Sequence, residues 1–347
     1  MAAAERKELI LQLEEQLQCR VIVLVTGDRQ GMETKLAGDV LSLVSEHLSG
    51  LGFTKRLALF LYTPGGDTIA AWGLVNLLRQ YCEHLLILVP FRALSAGTLI
   101  ALDADDLLLG KHGLLSPIDP SVNSPYNPAM EGAPPGSRQL LPVSVEDVSG
   151  FLDLAREEVG IKSEEIMVEV LKLLAAKIHP LALGAVYRAR EQSGDLALRL
   201  LARHVKDKGK AKTIVDRLTK ELPTHSYLIG RNEASEEIGL TVTPIDDATE
   251  VTMWHLYKQY EEWLQLTQPT SPDLDLAEEQ AKRMRYDRAA VETVRDGVLH
   301  QHVFVSHVHL QRVTVPAPGL NVPVNQVAQR VLYQGWSAAT DGELNNA

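Results

Sequence analysis

Residues 56–67, RLALFLYTPGGD, decide the fold. The unbroken apolar run after Arg56 reads as a strand buried on both faces, as in a parallel sheet. It stops at a Pro-Gly-Gly turn, and Asp67 stands where it caps a following helix, 68–82. The same unit recurs on either side. RVIVLVT at 20–26 precedes a helix at 36–48, LLILV at 85–89 precedes one at 96–104, and a fourth strand lies at 106–109. Strands alternating with helices through short links predict a parallel sheet with crossover helices. Ahead of them, Leu9, Leu13 and Leu17 mark an amphipathic helix over 5–17.

Composition agrees with this and narrows the partners. The 347 residues are 45% apolar but only 5% aromatic, which favours helices on buried strands over a β-sandwich. There are 34 basic and 45 acidic residues, and the net charge of −11 repels nucleic acid and anionic membranes. No apolar run approaches the ~18 residues of a membrane span, and charges occupy the N-terminus where a signal peptide needs apolar residues. Cys19 and Cys82 cannot build a disulfide framework, so a cytoplasmic location is expected.

Beyond residue 110 the pattern loosens. Residues 121–145 form a long Pro/Gly/Ser/Asn-rich loop, followed by helices near 145–159, 163–177, 180–205 and 211–221. Residues 226–242 hold a short strand and a helix. After 245 two polar helices are expected, 247–266 and 273–296, then a His-rich strand at 300–315, a short helix at 323–332 and a frayed tail from Ser337. Trp254, Tyr257, Tyr260 and Trp263 form a packing or subunit-interface stripe on the first of these helices.

Two loops at the C-terminal ends of predicted parallel strands carry the chemistry, the edge where open α/β sheets bind ligands. Gly65 and Gly66 let backbone N–H groups approach a substrate closely. Ser95 opens the next helix. It is either an N-cap or a nucleophile whose oxyanion meets the N–H of Ala96 and of a glycine from the neighbouring loop.

The motifs at 62–68 (YTPGGDT), 93–102 (ALSAGTLIAL), 115–120 (LSPIDP) and 224–240 (beginning THSYLI) together resemble the serine dehydrogenase proteinase family. Those are Clp-fold serine proteinases related to the Clp protease subunit and to signal peptide peptidase A. The resemblance covers about 5–245. It implies an α/β fold of the Clp/crotonase type, a spiral of β-β-α units with a parallel sheet. Residues 1–17 would be an N-terminal helix, 18–245 the core and 246–347 a C-terminal α+β extension. It implies Ser95 as nucleophile, with Gly65, Gly66 and Ala96 forming the oxyanion hole. It implies a polypeptide substrate, a homo-oligomer (trimer or ring) and room for an unfoldase or adaptor partner.

The base is where the sequence departs from these relatives. Where the Clp subunit has its catalytic His, this chain has Asp119, and near the place of that subunit's Asp it has His225. Ser95, His225 and Asp119 are the expected triad, defined by geometry and not by chain order. The plainer readings are a packed or capping His225 and a turn-forming Asp119. His179 competes as base, though a histidine capping a helix C-terminus explains it too. Lys111 and Lys162 would serve a Ser-Lys dyad of the signal-peptidase kind, which needs a desolvated lysine. His300, His302, His307 and His309 suggest a metal, but 300 and 302 face one way on a continuous strand and 307 and 309 the other. No cysteine or flanking carboxylate completes a closed site, and neither metal nor cofactor is expected. Two other functional classes stay open. One is a crotonase-like acyl-CoA enzyme that uses the same pair of amides, with Ser95 only a cap. The other is a catalytically weak scaffold that binds peptides or a partner through the 121–145 loop.

Overall fold

The computed structural model describes residues 2–119, 121–122, 124–130, 140–222, 224–316 and 323–340. In chain order the first elements are α1 (Ala2–Leu17), β1 (Arg20–Val25), α2 (Val40–Leu51), β2 (Thr54–Tyr62), α3 (Thr68–Arg79), β3 (Cys82–Val89), α4 (Ala96–Ala101), β4 (Asp106–Leu109) and β5 (Leu114–Leu115). Next come β6 (Ser121–Val122), β7 (Val143–Ser144), α5 (Val145–Asp153), α6 (Glu164–Lys177), α7 (Pro180–Leu201), α8 (Lys208–Asp216), β8 (Ile229–Gly230) and α9 (Arg231–Glu233). The chain closes with α10 (Asp247–Trp263), α11 (Pro272–Leu276), β9 (Ala281–Arg295), β10 (Val298–Pro316) and β11 (Pro323–Thr340). Two compact units result. One joins the residues up to Leu114 with those from Thr241 onward, and the other is Leu115–Leu240.

The first unit is built on a seven-stranded sheet of order β11-β10-β9-β1-β2-β3-β4. The four apolar runs form its parallel half, with Val23 beside Phe60 and Leu59 beside Ile87. Helix α10 covers one side. Its aromatic stripe is core: Tyr257 and Tyr260 are fully buried, against Tyr62 and Phe60 respectively. Helix α1 joins them through Ile10 and Leu13 and through Arg6, whose guanidinium lies 4.0 Å over the Trp263 ring and reaches Glu292 at 2.8 Å. The Tyr260 hydroxyl donates to that same buried carboxylate.

Three expectations for the C-terminal region are corrected. The helix expected at 273–296 is the short α11 followed by strand β9. Residues Ala281, Arg283 and Arg285 are exposed while Lys282, Met284 and Tyr286 turn inward, a period of two beneath a heavily charged surface. The helix expected at 323–332 is part of β11, and Ser337–Thr340 continue that strand instead of fraying. Residues 246–347 belong to the first unit. β9 pairs antiparallel with β1, Leu24 opposite Val291, and closes the edge that β1 would otherwise expose.

The second unit is mostly helical. Ser144, Ser163, His179 and Asp207 cap α5, α6, α7 and α8. The short strands β6 and β7 pair antiparallel within the expected long loop, of which 123 and 131–139 lie outside the described residues. Among the described residues no helix is long and apolar enough to cross a membrane.

Candidate active site

In the first unit the loops after β2 and β3 are held together beyond the strands. Thr63 N–H donates to Arg92 O at 2.9 Å, and Leu94 N–H donates to Thr63 O at 3.0 Å. This extension of the parallel ladder sets the Gly-Gly turn against the start of α4. A Cβ added to Gly65 would lie 2.9 Å from Ser95 Cβ and 3.5 Å from Ala96 N, so only glycine permits the approach. Gly65 also has φ +102, a conformation that costs other residues strain. Gly66 packs as closely on Leu36, whose N–H donates to Gly65 O at 2.9 Å. Among the described residues no hydrogen bond engages the N–H of Gly66 or of Ala96. Asp67 caps α3, as its position after the turn predicts.

Ser95 stands at φ 51, ψ −109, and its side chain does not cap α4. The N-cap explanation of this serine therefore fails. A non-glycine residue held at positive φ is strained, and such strain gathers where a side chain must be aimed. The competing nucleophiles are suppressed. Burial pushes the Cys19 thiol up to about 12 and the Cys82 thiol up to about 11, so neither forms a thiolate at neutral pH. Burial, with Asp28 alongside, likewise keeps the Tyr62 phenol protonated.

The second unit holds the expected base and its carboxylate. His225 Nδ1 lies 2.9 Å from Asp119 Oδ1. The Asp119 carboxylate is 9% exposed and the imidazole 40%, so a buried carboxylate meets a partly exposed ring. The backbone N–H of His225 donates to Glu146 Oε2 at 2.7 Å. Glu146 went unnoticed in the sequence because, two residues after the Ser144 cap, it looks like an ordinary first-turn acid. Asp119 and Glu146 line one cavity of about 260 Å³ with Arg190, Lys220 and Thr224.

The other candidate bases lie elsewhere. His179 caps the N-terminus of α7, not a C-terminus, its Nδ1 accepting from Leu181 N–H, and its ring stacks on Tyr126. Lys111 is exposed and pairs with Asp247 at 3.2 Å. Lys162 is exposed. Neither lysine is desolvated as a dyad base must be. Among the described residues no group of His, Cys, Asp or Glu is arranged to hold a metal ion. His302 instead bonds through Nδ1 to His47 Nε2 at 3.0 Å, and His300 Nδ1 to Arg295.

Ser95 thus stands at positive φ at the mouth of α4, against a glycine turn and at the C-terminal ends of the parallel strands. Comparison with known proteins finds one family match. Residues 2–133, well under half of the chain, match the family described as ClpP-like SDH-type serine proteinase, and the observed α/β sheet is compatible with it. The segment contains Gly65, Gly66, Ser95, Ala96 and Asp119, whereas His225 lies outside it. Two uncharacterized proteins of Methanocaldococcus jannaschii are similar over longer stretches. MJ0137 is 27% identical over 206 residues, 59% of this chain and 59% of its own length. MJ1495 is 27% identical over 176 residues, 48% of this chain and 58% of its own. The chain thus spans less than two thirds of the length of the curated relatives it matches.

Proposed function

We propose that this protein is a serine peptidase that cleaves peptide bonds through an acyl-enzyme on Ser95. The observation that carries the proposal is Ser95 itself: strained at φ 51, not capping its helix, and packed against Gly65. The family match supports the same reaction class. In the proposed reaction Ser95 Oγ attacks the carbonyl carbon and its proton passes to His225 Nε2. His225 Nδ1–H donates to Asp119, which holds that tautomer and stabilises the imidazolium. The N–H groups of Gly66 and Ala96 donate to the oxyanion. As the tetrahedral intermediate collapses, the C–N bond breaks and His225 returns the proton to the leaving amine. Water then hydrolyses the ester by the same steps in reverse.

The reading takes a polypeptide substrate, a homo-oligomer and no cofactor. It is tested with a fluorophosphonate probe on wild type, Ser95→Ala and His225→Ala, read by intact mass. One adduct is expected on wild type, none on Ser95→Ala, and slow labelling of His225→Ala. An unlabelled wild type would refute the peptidase, and a His225→Ala variant labelled at the wild-type rate would remove His225 from it.

A further inference from the structure

Thr63 takes no part in the proposed chemistry, yet the geometry of both loops runs through it. It is fully buried just beyond β2. Its Oγ1 accepts from Thr26 Oγ1 at 2.7 Å, accepts from Gly65 N–H at 3.1 Å and donates to Gly65 O at 3.4 Å. A hydroxyl has one proton and two lone pairs, so all of its capacity is used within the loop. Its methyl is committed too: a Cβ on Gly97 would lie 2.5 Å from Thr63 Cγ2, so the methyl fills the room that Gly97 leaves in α4.

The bond to Gly65 O matters because that oxygen and the Gly66 N–H belong to one planar trans peptide. They point in opposite directions. Holding the oxygen on Thr63 and on the Leu36 N–H therefore fixes where the Gly66 N–H points. A flip of this peptide would replace a donor with a carbonyl oxygen.

We infer that Thr63, backed by Thr26, is a positioning residue that orients the Gly65–Gly66 peptide and seats the first turn of α4 beside Ser95. The inference rests on the peptidase reading. The two halves of the side chain separate by substitution. Thr63→Val keeps the methyl position and removes the hydroxyl, leaving the buried Gly65 N–H unpaired, whereas Thr63→Ser does the reverse.

The test is saturation kinetics of fluorophosphonate labelling, with thermal melts, on wild type, Thr63→Val, Thr63→Ser and Thr26→Val. Thr63→Val is expected to lower the maximal labelling rate constant about 10²-fold, the cost of losing one oxyanion donor, at a nearly unchanged half-saturating probe concentration. Thr63→Ser keeps most of the rate, and Thr26→Val falls between them. A folded Thr63→Val labelled like wild type overturns the inference. If Thr63→Val does not fold, Thr26→Val decides, and a wild-type rate there overturns it. If wild type itself is unlabelled, the peptidase reading has failed separately. Amide exchange then decides the positioning: faster exchange of the Gly65 N–H in Thr63→Val supports it, and unchanged exchange refutes it.

Discussion

Replacing Gly65 with alanine tests whether the contact between the glycine turn and Ser95 matters for reactivity. The added Cβ would lie 2.8 Å from Leu94 O and 2.9 Å from Ser95 Cβ, where ordinary contact begins at 3.4 Å. Both obstacles belong to the backbone or its first side-chain atom, so neither swings aside, and one loop must retreat by about half an ångström. Misplacement on the scale of an ångström costs a reacting group about 10²-fold, or roughly 2.7 kcal/mol of barrier. Stability falls as well, by about 1–2 kcal/mol for a side chain at positive φ and roughly 1–3 kcal/mol for the overlap. Gly52→Ala separates the two effects. Gly52 has φ +72 with nothing within 4 Å of an added Cβ, so it bears the strain without the crowding. The assay is the fluorophosphonate labelling rate beside urea unfolding. Gly65→Ala is expected to be folded, less stable and about 10²-fold slower, and Gly52→Ala only less stable. Equal labelling rates for the two folded variants would refute the reasoning.

The remaining predictions rest on other parts of the molecule. Asp119→Asn is expected to slow labelling by about 10³–10⁴-fold, because the amide would favour the wrong His225 tautomer; a loss under tenfold counts against the pair. Burial first, then the charges of His302 and Arg295, lowers His47 from 6.5 to about 3. The unfolded chain therefore takes up a proton below pH 6.5 that the folded one refuses. The stability due to neutral His47 is complete above 6.5 and declines as pH falls toward 3, by about 2 kcal/mol between pH 6.5 and 5. Urea unfolding of His47→Gln over that window should show a correspondingly shallower pH slope. Arg6→Met would leave Glu292 buried without its cation and cost about 3–5 kcal/mol, most of it recovered on adding Glu292→Leu; additive losses on denaturation would contradict this. Gly97→Ala should destabilise wild type, where Thr63 Cγ2 obstructs it at 2.5 Å, but be tolerated in Thr63→Ser, where the next obstacle is Ala93 Cβ at 3.3 Å. Thermal melts of the four proteins would give the coupling.

The parallel half of the sheet was legible because β1, β2 and β3 are continuous apolar runs with short links, a pattern that few other structures satisfy. The antiparallel half was not. Along Ala281–Arg295 the inward positions include Lys282, and an alternation carried by long charged side chains is hard to tell from a polar helix face. Partners decide such segments: β9 pairs along its length with β10, which follows it, and at Ala290–Thr293 with β1, more than 250 residues earlier in the chain. At the candidate site, Gly65, Gly66 and Ser95 announced themselves by residue type at the ends of predicted strands. The bond between His225 and Asp119 joins residues 106 positions apart, and no local pattern encodes it.

Thr63 shows why some of the machinery escapes such reading. A threonine at the end of a buried strand is unremarkable, since β-branched residues belong there. Its meaning comes from three glycines. Gly65 needs its hydroxyl, Gly97 is small because its methyl is there, and Gly66 sits on the peptide it orients. The motifs at 62–68 and 93–102 therefore form one packed object in which each small residue is small because a named neighbour occupies the space. Strain at Ser95 persists only because that object is overdetermined: α4 cannot back away from the glycine turn while Thr63 bonds the backbone on both sides of Ala93. Loosening any one of these contacts should relax φ at Ser95 before it unfolds the sheet. Reactivity is then the more sensitive gauge of the packing, and stability the blunter one.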